Sequence, residues 1–191
     1  MTAPLRVVAL DLSLTATGIA TTHDSAGEPR LACRTVTPRK YPSATQIDHR
    51  RLKETIDAVT GAVRCRPDLV VVEWLPQFDG KGDTSLRLAE LHGAIKHWLW
   101  SHDVLYVDVL PPHLKQYATG SGNAKKRDVR EAVTARYGRL LHIGTDDEAD
   151  AVTLLAMALD AYGQSLVAVN GTYGRALAAV KWPELKTGAL R

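Results

Sequence analysis

The sequence predicts an α/β domain in which a mixed sheet is flanked by helices. Three short extended segments follow one another between residues 5 and 37, and two later apolar strands each follow a stretch with helical periodicity. Short connections between the first three strands predict an antiparallel meander, whereas strands separated by helices predict parallel pairing. We expect this domain to cover residues 1–163, followed by a C-terminal extension of unknown role, residues 164–191, that has no clear periodicity.

The first three strands are predicted by alternation and by turn residues. Within residues 5–13, Val7, Ala9 and Asp11 share one face of an extended segment whose other face is also apolar. The sequence TATG then predicts a turn, and GIATT resumes an extended chain. After a second turn at SAGEP, the segment RLACRTVT predicts the third strand.

Helices and single strands alternate in the middle of the chain. Residues 47–63 and the region around residues 88–99 have helical periodicity, and they are followed by the apolar strands LVVVE and VLYVDVL. The segment PPHLKQYATGSGNAKKRDVREAV predicts a short helix, a Gly-rich turn and a longer basic helix. The last strong helix begins at Thr145, which forms with Glu148 the S/T-x-x-E pattern of a capping box.

Composition indicates an ordinary globular protein. The chain has 191 residues, of which 45% are hydrophobic and 24% charged. No stretch approaches the roughly 20 apolar residues of a membrane span, and the N-terminus lacks a signal-peptide pattern. Cys33 and Cys65 have no metal-binding spacing, so we interpret them as reduced thiols and expect a cytoplasmic protein without membrane contact.

Basic residues are concentrated in one part of the chain. Between Lys115 and Arg139 there are seven basic residues and two acids, a net charge of +5 in a chain whose total is +3. A basic segment near an acidic site is typical of enzymes that act on a polyanion. For any single lysine, a solvated helix face is the alternative interpretation.

Four carboxylates stand in surroundings that predict burial: Asp11, Glu73, Asp147 and Asp150. A buried carboxylate is strongly destabilising unless a partner or a cation compensates its charge. Asp11 interrupts the apolar run VVALDLS, and Glu73 ends the run LVVVE. Asp147 and Asp150 are three residues apart and therefore share a helix face. Oxygen ligands of this kind suit Mg²⁺ or Mn²⁺, so the sequence predicts a divalent-metal site and hydrolytic phosphate chemistry.

Three of these four acids also have a simpler explanation. Asp11 could point to water from an edge strand, and Glu73 could be a solvated strand terminus. Acids in the first turn of the last helix, Asp147 among them, interact favourably with the helix dipole. Asp150 lies beyond that turn and continues the apolar stripe, so capping does not explain it.

Four segments resemble the RuvC-type Holliday-junction resolvases of the RNase H-like nuclease superfamily. In order they are VVALDLSLTATGIA, LVVVEW, PPHLKQYATGSGNAKKRDVREAV and DDEADAVTLLAMA, and they cover most of residues 5–160. The resemblance implies an RNase H-like sheet and two Mg²⁺ or Mn²⁺ ions per site. It also implies a homodimer that nicks two opposed strands of a four-way DNA junction. The divergence of the chain suggests a phage or remote bacterial branch.

The resemblance also implies roles for individual residues. Asp11, Glu73, Asp147 and Asp150 match the four metal ligands of the family. Lys115 and Lys126 match its two basic residues near the scissile phosphate. Further DNA contacts are expected from the neighbouring basic residues and from the only phenylalanine of the chain: Lys125, Arg127, Arg130 and Phe78.

Two departures from the family pattern concern the site. The first acid is followed by Leu12-Ser13, where the family often has Pro-Gly. The family's junction-wedging aromatic stands just after the second acid, a region that here contains Trp74 and, later, Phe78. An aromatic in this loop could stack on a base, or it could pack on its own domain.

Other functions fit parts of the sequence. DLSLTATG also resembles the phosphate loop of actin-like and sugar-kinase ATPases, but these need a second such domain. A non-catalytic DNA-binding or scaffolding relative is less compatible with four retained acids. A nuclease for other branched DNA or for RNA–DNA hybrids stays open, because a metal site alone does not select the substrate.

Overall fold

The computed structural model describes residues 4–40, 49–75, 83–168 and 174–185. Within these residues the chain forms five strands and six helices. Their bounds are β1 (Val7–Asp11), β2 (Thr17–His23), β3 (Pro29–Val36), α1 (Arg50–Val63), β4 (Leu69–Glu73), α2 (Asp83–Ser101), β5 (Tyr106–Val109), α3 (Pro111–Thr119), α4 (Lys126–Tyr137), α5 (Asp146–Ala161) and α6 (Gly174–Ala178).

The strands form one mixed sheet in the order β3-β2-β1-β4-β5. β1, β2 and β3 pair antiparallel, as their short connections predict, and β1, β4 and β5 pair parallel. β1 lies in the centre with a neighbour on each side, and all five of its residues are buried. The predicted α/β class and strand pairing are therefore confirmed.

Two apolar layers cover the faces of the sheet. Val7 and Ala9 face the layer that contains α3, α4 and α5. Val8 and Leu10 face the other layer, which contains α1 and α2. The alternation of β1 thus fixes Asp11 on the same face as Val7 and Ala9, towards α5.

Strand register brings the first two carboxylates side by side. The parallel pairing of β1 with β4 runs from Val7 opposite Leu69 to Leu10 opposite Val72. One residue further along the same register, Asp11 lies beside Glu73, at the ends of the two strands. Because residues on adjacent strands in register project to the same face, both carboxyl groups point towards α5.

α5 approaches the sheet unusually closely at Gly18. Gly18 pairs with Asp11 across β1 and β2. A Cβ atom at Gly18 would lie 2.0 Å from the backbone oxygen of Asp147 and 3.3 Å from the Cβ of Ala151. Only a residue without a side chain permits this contact. Gly18 therefore sets how closely the start of α5 lies to Asp11.

Hydrogen bonds fix the start of α5. The hydroxyl of Thr145 accepts the backbone N–H of Glu148 and contacts the hydroxyl of Thr35 on β3 at 2.6 Å. The carboxylate of Glu148 accepts the N–H of Gly144 at 2.6 Å. The predicted cap is present, although the Glu148 carboxylate binds the residue before Thr145 rather than Thr145 itself. Residues Ala149–Leu159 are all buried, because α5 lies between the sheet and the other helices.

A buried polar group joins α3, α4 and α5. The hydroxyl of Tyr117 donates to Asp160 at 2.6 Å and lies 3.3 Å from the hydroxyl of Tyr137. The guanidinium of Arg136 donates to the backbone oxygens of Tyr117 and Ala118, near the end of α3. These contacts fix the two basic helices to α5.

Two boundaries differ from the sequence prediction. The first strand is β1, Val7–Asp11, shorter than the expected 5–13, because the chain after Asp11 turns: the N–H of Ser13 binds the hydroxyl of Thr17. The first helix begins at Arg50, and the more N-terminal part of its predicted range lies mostly outside the described residues.

The C-terminal extension contacts the domain. Ala176 and Val180 are buried in the core layer of α5, and Trp182 packs against it. The hydroxyl of Tyr162 donates to the backbone oxygen of Pro183 at 2.6 Å. Among the helices that the structure describes, none is long and apolar enough to cross a membrane.

We expect Gly18→Ala to destabilise the protein by about 1–3 kcal/mol, because the new methyl group overlaps the Asp147 carbonyl. Urea denaturation measures the change. Gly61→Ala is the matched control: Gly61 lies in α1 with open space around its Cβ position, so this change should stabilise by about 0.5–1 kcal/mol. Equal effects of the two changes would contradict the close approach at Gly18.

Candidate metal centre

Three of the four predicted carboxylates meet at one point. One carboxylate oxygen from each of Asp11, Glu73 and Asp150 lies within 4.8 Å of the other two. Asp11 and Asp150 are 6% and 8% exposed. The three groups come from β1, β4 and α5, which meet where β1 and β4 end. The structure thus assembles three acids that are 62 to 139 residues apart in sequence.

Burial and mutual repulsion raise the pKa of all three acids. Desolvation is the largest cause in each case. It raises the pKa of Asp150 to about 7, with a further contribution from Asp11. Desolvation and the charge of Glu73 raise the pKa of Asp11 well above its usual range. A hydrogen bond between the two side chains raises the pKa of Asp11 and lowers that of Glu73.

Lys126 supplies positive charge near the carboxylates. It is the first residue of α4, and its side chain is exposed. Partial burial lowers the pKa of Lys126, but Asp11, Asp150, Asp147 and Glu73 together raise it above the ordinary value. In turn Lys126 lowers the pKa of each of these acids. Lys126 therefore lies within electrostatic reach of all four acids.

Lys115 lies on α3, on the same side of the sheet. Its charge lowers the pKa of Glu73, which places it within electrostatic reach of the cluster. α3 ends at Gly120, whose φ of 86° is the left-handed conformation that terminates a helix. The Gly-rich turn that follows connects α3 to α4, so Lys115 and Lys126 reach the same site from two helices.

Asp147 lies beside the cluster rather than in it. Its carboxylate is not among the oxygens that lie within 4.8 Å of one another in the described part of the chain. Asp147 is partly exposed, and its charge raises the pKa of Asp11 and of Asp150. Asp147 is therefore an outer acid of the site, close enough for its charge to influence the pKa values of Asp11 and Asp150.

The other basic residues predicted to contact DNA differ in their surroundings. Arg127 forms an exposed ion pair with Glu131 at 3.3 Å, and Arg130 one with Asp146 at 3.2 Å. Lys125 is exposed and directly precedes α4. Phe78 lies outside the described residues.

Lys96 contacts Trp74, the residue after Glu73, an interaction that the sequence did not suggest. The Nζ atom of Lys96 lies 4.4 Å from the centre of the Trp74 ring and 2.7 Å from the carboxylate of Asp108. Trp74 is nevertheless 43% exposed. Because Lys96 is on α2 and Asp108 on β5, only the tertiary structure reveals this arrangement.

The donor set fits a hard divalent cation. All donors are carboxylate oxygens, the ligands that Mg²⁺ and Mn²⁺ prefer. Within the described residues, no ion pair joins Asp11, Glu73 or Asp150 to a basic side chain closer than 4.0 Å. A bound cation would offset the cost of burying these acids together.

The sheet order, the helices on both faces and the carboxylates at the ends of β1 and β4 together define an RNase H-like fold. This fold also occurs in RuvC. The chain matches T. thermophilus RuvC in complex with Holliday junction substrate with a TM-score of 0.61 at 21% identity, over 79% of this chain and 90% of that one. A second Thermus thermophilus RuvC structure matches with a TM-score of 0.55 at 22% identity, over 78% of this chain and 90% of that chain.

Sequence comparison also finds a similar protein. The crossover junction endodeoxyribonuclease RuvC of Gloeobacter violaceus is 36% identical over 89 residues, which are 47% of this chain and 50% of that protein. The match thus spans about half the length of this curated relative. No protein-family model matches the chain. The fold and the resemblance to RuvC that the motifs indicate are confirmed.

We expect Asp150→Asn to raise the thermal stability of the metal-free protein at pH 8. The pKa of Asp150 is about 7 in the folded protein and near 3.8 in the unfolded chain. Its contribution to stability is therefore present below pH 3.8 and is lost as the pH rises through about 7. The gain in melting temperature should shrink towards pH 4.

Thermal denaturation in EDTA at both pH values measures this effect. Asp57→Asn is the control, because Asp57 is an exposed acid on α1 with a 60% exposed side chain. Mg²⁺ should stabilise the wild type more than Asp150→Asn. A lower melting temperature for metal-free Asp150→Asn at pH 8 would contradict the electrostatic strain assigned to this site.

Proposed function

We propose that this protein is a metal-dependent, structure-selective DNA endonuclease that resolves four-way junctions by paired nicks. The observation that carries the proposal is the cluster of Asp11, Glu73 and Asp150, in which Asp11 and Asp150 are buried, with Lys126 beside it. The similarity to RuvC supports the same activity, since one RuvC match is a complex with Holliday junction substrate.

The acids would hold the metal, and the lysines would bind the substrate. Asp11, Glu73 and Asp150 are the proposed ligands of two Mg²⁺ or Mn²⁺ ions, with Asp147 completing the site. Bound divalent ions lower the pKa of water and neutralise charge on a phosphate. Lys126 and Lys115 would stabilise negative charge that develops on the scissile phosphate.

The surface around the site would bind the DNA backbone. Lys125, Arg127 and Arg130 are the further proposed contacts, and the ion pairs of the two arginines would be exchanged for phosphate. The exposed ring of Trp74, next to Glu73, and Phe78 are the proposed candidates for stacking on a base at the junction.

We propose that the active form is a homodimer that pairs through α2. Leu86 and Trp100 on the outer side of α2 are 72% and 70% exposed, fourteen residues apart and thus in line along the helix. Gly93 lies halfway between them and is exposed. Large exposed apolar side chains in a row are typical of protein interfaces.

Sedimentation analysis tests the dimer with Trp100→Glu, which we expect to shift the protein towards the monomer. Leu140→Glu is the control, because Leu140 is 47% exposed on a different part of the molecule. A dimer that tolerates Trp100→Glu, or a wild-type monomer at micromolar concentration, would exclude this interface.

Two other functions are compatible with this site. An RNase H-like nuclease could act on other branched DNA or on an RNA–DNA hybrid, because the carboxylate group by itself does not select a substrate. A junction-binding relative without catalysis would keep the DNA surface and lack cleavage. Cleavage of a four-way junction, a linear duplex and an RNA–DNA hybrid distinguishes them. A protein of this kind would act where cellular or phage DNA lies, in the cytoplasm of a bacterial host.

We expect the protein to make paired nicks in a synthetic four-way junction when Mg²⁺ or Mn²⁺ is present. Asp11→Asn and Asp150→Asn should lower the single-turnover rate at least a thousandfold, because each removes a charged ligand. Both variants should still bind the junction in a mobility-shift assay. Asp57→Asn should cut as the wild type does.

The substrate comparison decides between the alternatives. Equal cutting of linear duplex or of an RNA–DNA hybrid would refute junction selectivity while leaving nuclease activity. Junction binding without cutting under any divalent cation would favour a junction-binding protein without catalytic activity.

Lys126→Ala should slow cleavage roughly a hundredfold, because one positive charge beside the phosphate is lost. Lys125→Ala is the matched control: it removes the same side chain one residue away, and should change the rate less than threefold. The single-turnover rate at saturating protein separates this effect from binding. Equal effects of the two substitutions on the cleavage rate would show that Lys126 has no special role at the scissile phosphate.

A further inference from the structure

A second basic segment lies in the connection between β3 and α1 and in the first turn of α1. From Arg39 to Lys53 there are five basic residues and one acid, a net charge of +4. Arg39, Lys40 and Arg50 are exposed. We refer to these three side chains as the α1 patch.

The topology places the α1 patch at the end of the sheet that carries the carboxylates. β3 ends at Val36, opposite Thr17, close to where β1 ends at Asp11. α1 then starts at this end and runs back along the sheet. The guanidinium of Arg51 donates to the backbone oxygen of Leu14 at 2.8 Å, which ties the patch to the turn that follows Asp11.

The two basic segments lie on opposite faces of the sheet. Lys115 and Lys126 belong to helices that cover the α5 face, whereas α1 covers the other face. The carboxylates point to the α5 face, at the end of the sheet that both basic segments reach. A polyanion that passes the site could contact both.

The start of α1 is an unusual place for basic residues. Basic residues in the first turn of a helix are unfavourable, because the helix dipole is positive there, and the first turn of α1 contains no acid. Acids also lie near this helix start: Asp57 pairs with Lys53, Glu54 accepts the backbone N–H of Arg39, and Glu90 contacts His49 and Arg87. An anion bound at the start of α1 would interact favourably with the helix dipole and with these basic side chains.

We propose that the α1 patch binds the phosphate backbone of a duplex arm of the DNA whose strand is cut at the carboxylates. The arm lies on the α1 face, and the scissile strand contacts Lys115 and Lys126 on the other face. This inference rests on the proposed nuclease function and adds a second DNA-binding surface to it.

Salt dependence of binding tests the proposal. A labelled four-way junction is titrated with the Asp150→Asn protein, which leaves the DNA intact, at several NaCl concentrations. Arg39→Gln/Arg50→Gln should reduce the slope of log K against log salt by roughly two and weaken binding roughly tenfold, since each phosphate contact contributes about 0.9 to the slope.

Arg30→Gln/Arg64→Gln is the matched control. It removes the same charge and residue type, but Arg30 and Arg64 are exposed at the opposite end of the sheet and of α1. The control slope should stay unchanged. A slope that falls equally in both variants, or in neither, overturns the proposal. Where the double variant lowers the melting temperature, Lys40→Gln alone replaces it and should reduce the slope by about one.

Failure of this inference and failure of the proposed function are distinguishable. Cleavage by the wild-type protein reports on the carboxylates and does not depend on the slope. A protein that cuts junctions with an unchanged slope in Arg39→Gln/Arg50→Gln is a nuclease without this surface. If the protein never cuts, but the salt dependence of binding falls only in Arg39→Gln/Arg50→Gln, then it is a DNA-binding protein that uses the α1 patch.

Discussion

Three carboxyl groups are held within 4.8 Å of one another at the ends of two central strands, and the surrounding structure is arranged to keep them there. Their mutual repulsion and their burial both oppose this arrangement. The β1–β4 register aligns Asp11 with Glu73, and Gly18 allows α5 to bring Asp150 against them. The stability of the sheet and of α5 therefore holds together a site that would be strained without a cation.

The charge around the site follows a consistent arrangement. Acids occupy the ends of β1 and β4 and the start of α5, while Lys126 and Lys115 reach them from α4 and α3. The buried contact of Tyr117 with Asp160 fixes those helices to α5, so the positive charges keep their positions relative to the acids. Lys126 and Lys115 lower the pKa of nearby acids and so offset part of the negative charge of the site.

Much of the fold and of the carboxylate site could be predicted from the sequence, because the relevant sequence signals are local. Alternation placed Asp11 on a definite face, and the capping pattern at Thr145 separated Asp150 from acids that only stabilise a helix end. Contacts between distant segments could not be predicted. The approach of α5 to Gly18, the ion pair of Arg130 with Asp146 and the position of Lys96 over Trp74 depend on how elements dock. The location of the basic start of α1, at the end of the sheet that carries Asp11, likewise follows only from the topology.

Calorimetric titration with Mn²⁺ tests most directly whether the three carboxylates form a metal centre. The wild-type protein should bind Mn²⁺ saturably, and Glu73→Gln should bind it at least tenfold more weakly, because one charged ligand is lost. Glu131→Gln, which changes an acid with a 64% exposed side chain on α4, should bind as the wild type does. Equal affinity of Glu73→Gln and the wild type, or no Mn²⁺ binding by the wild type, would contradict the account.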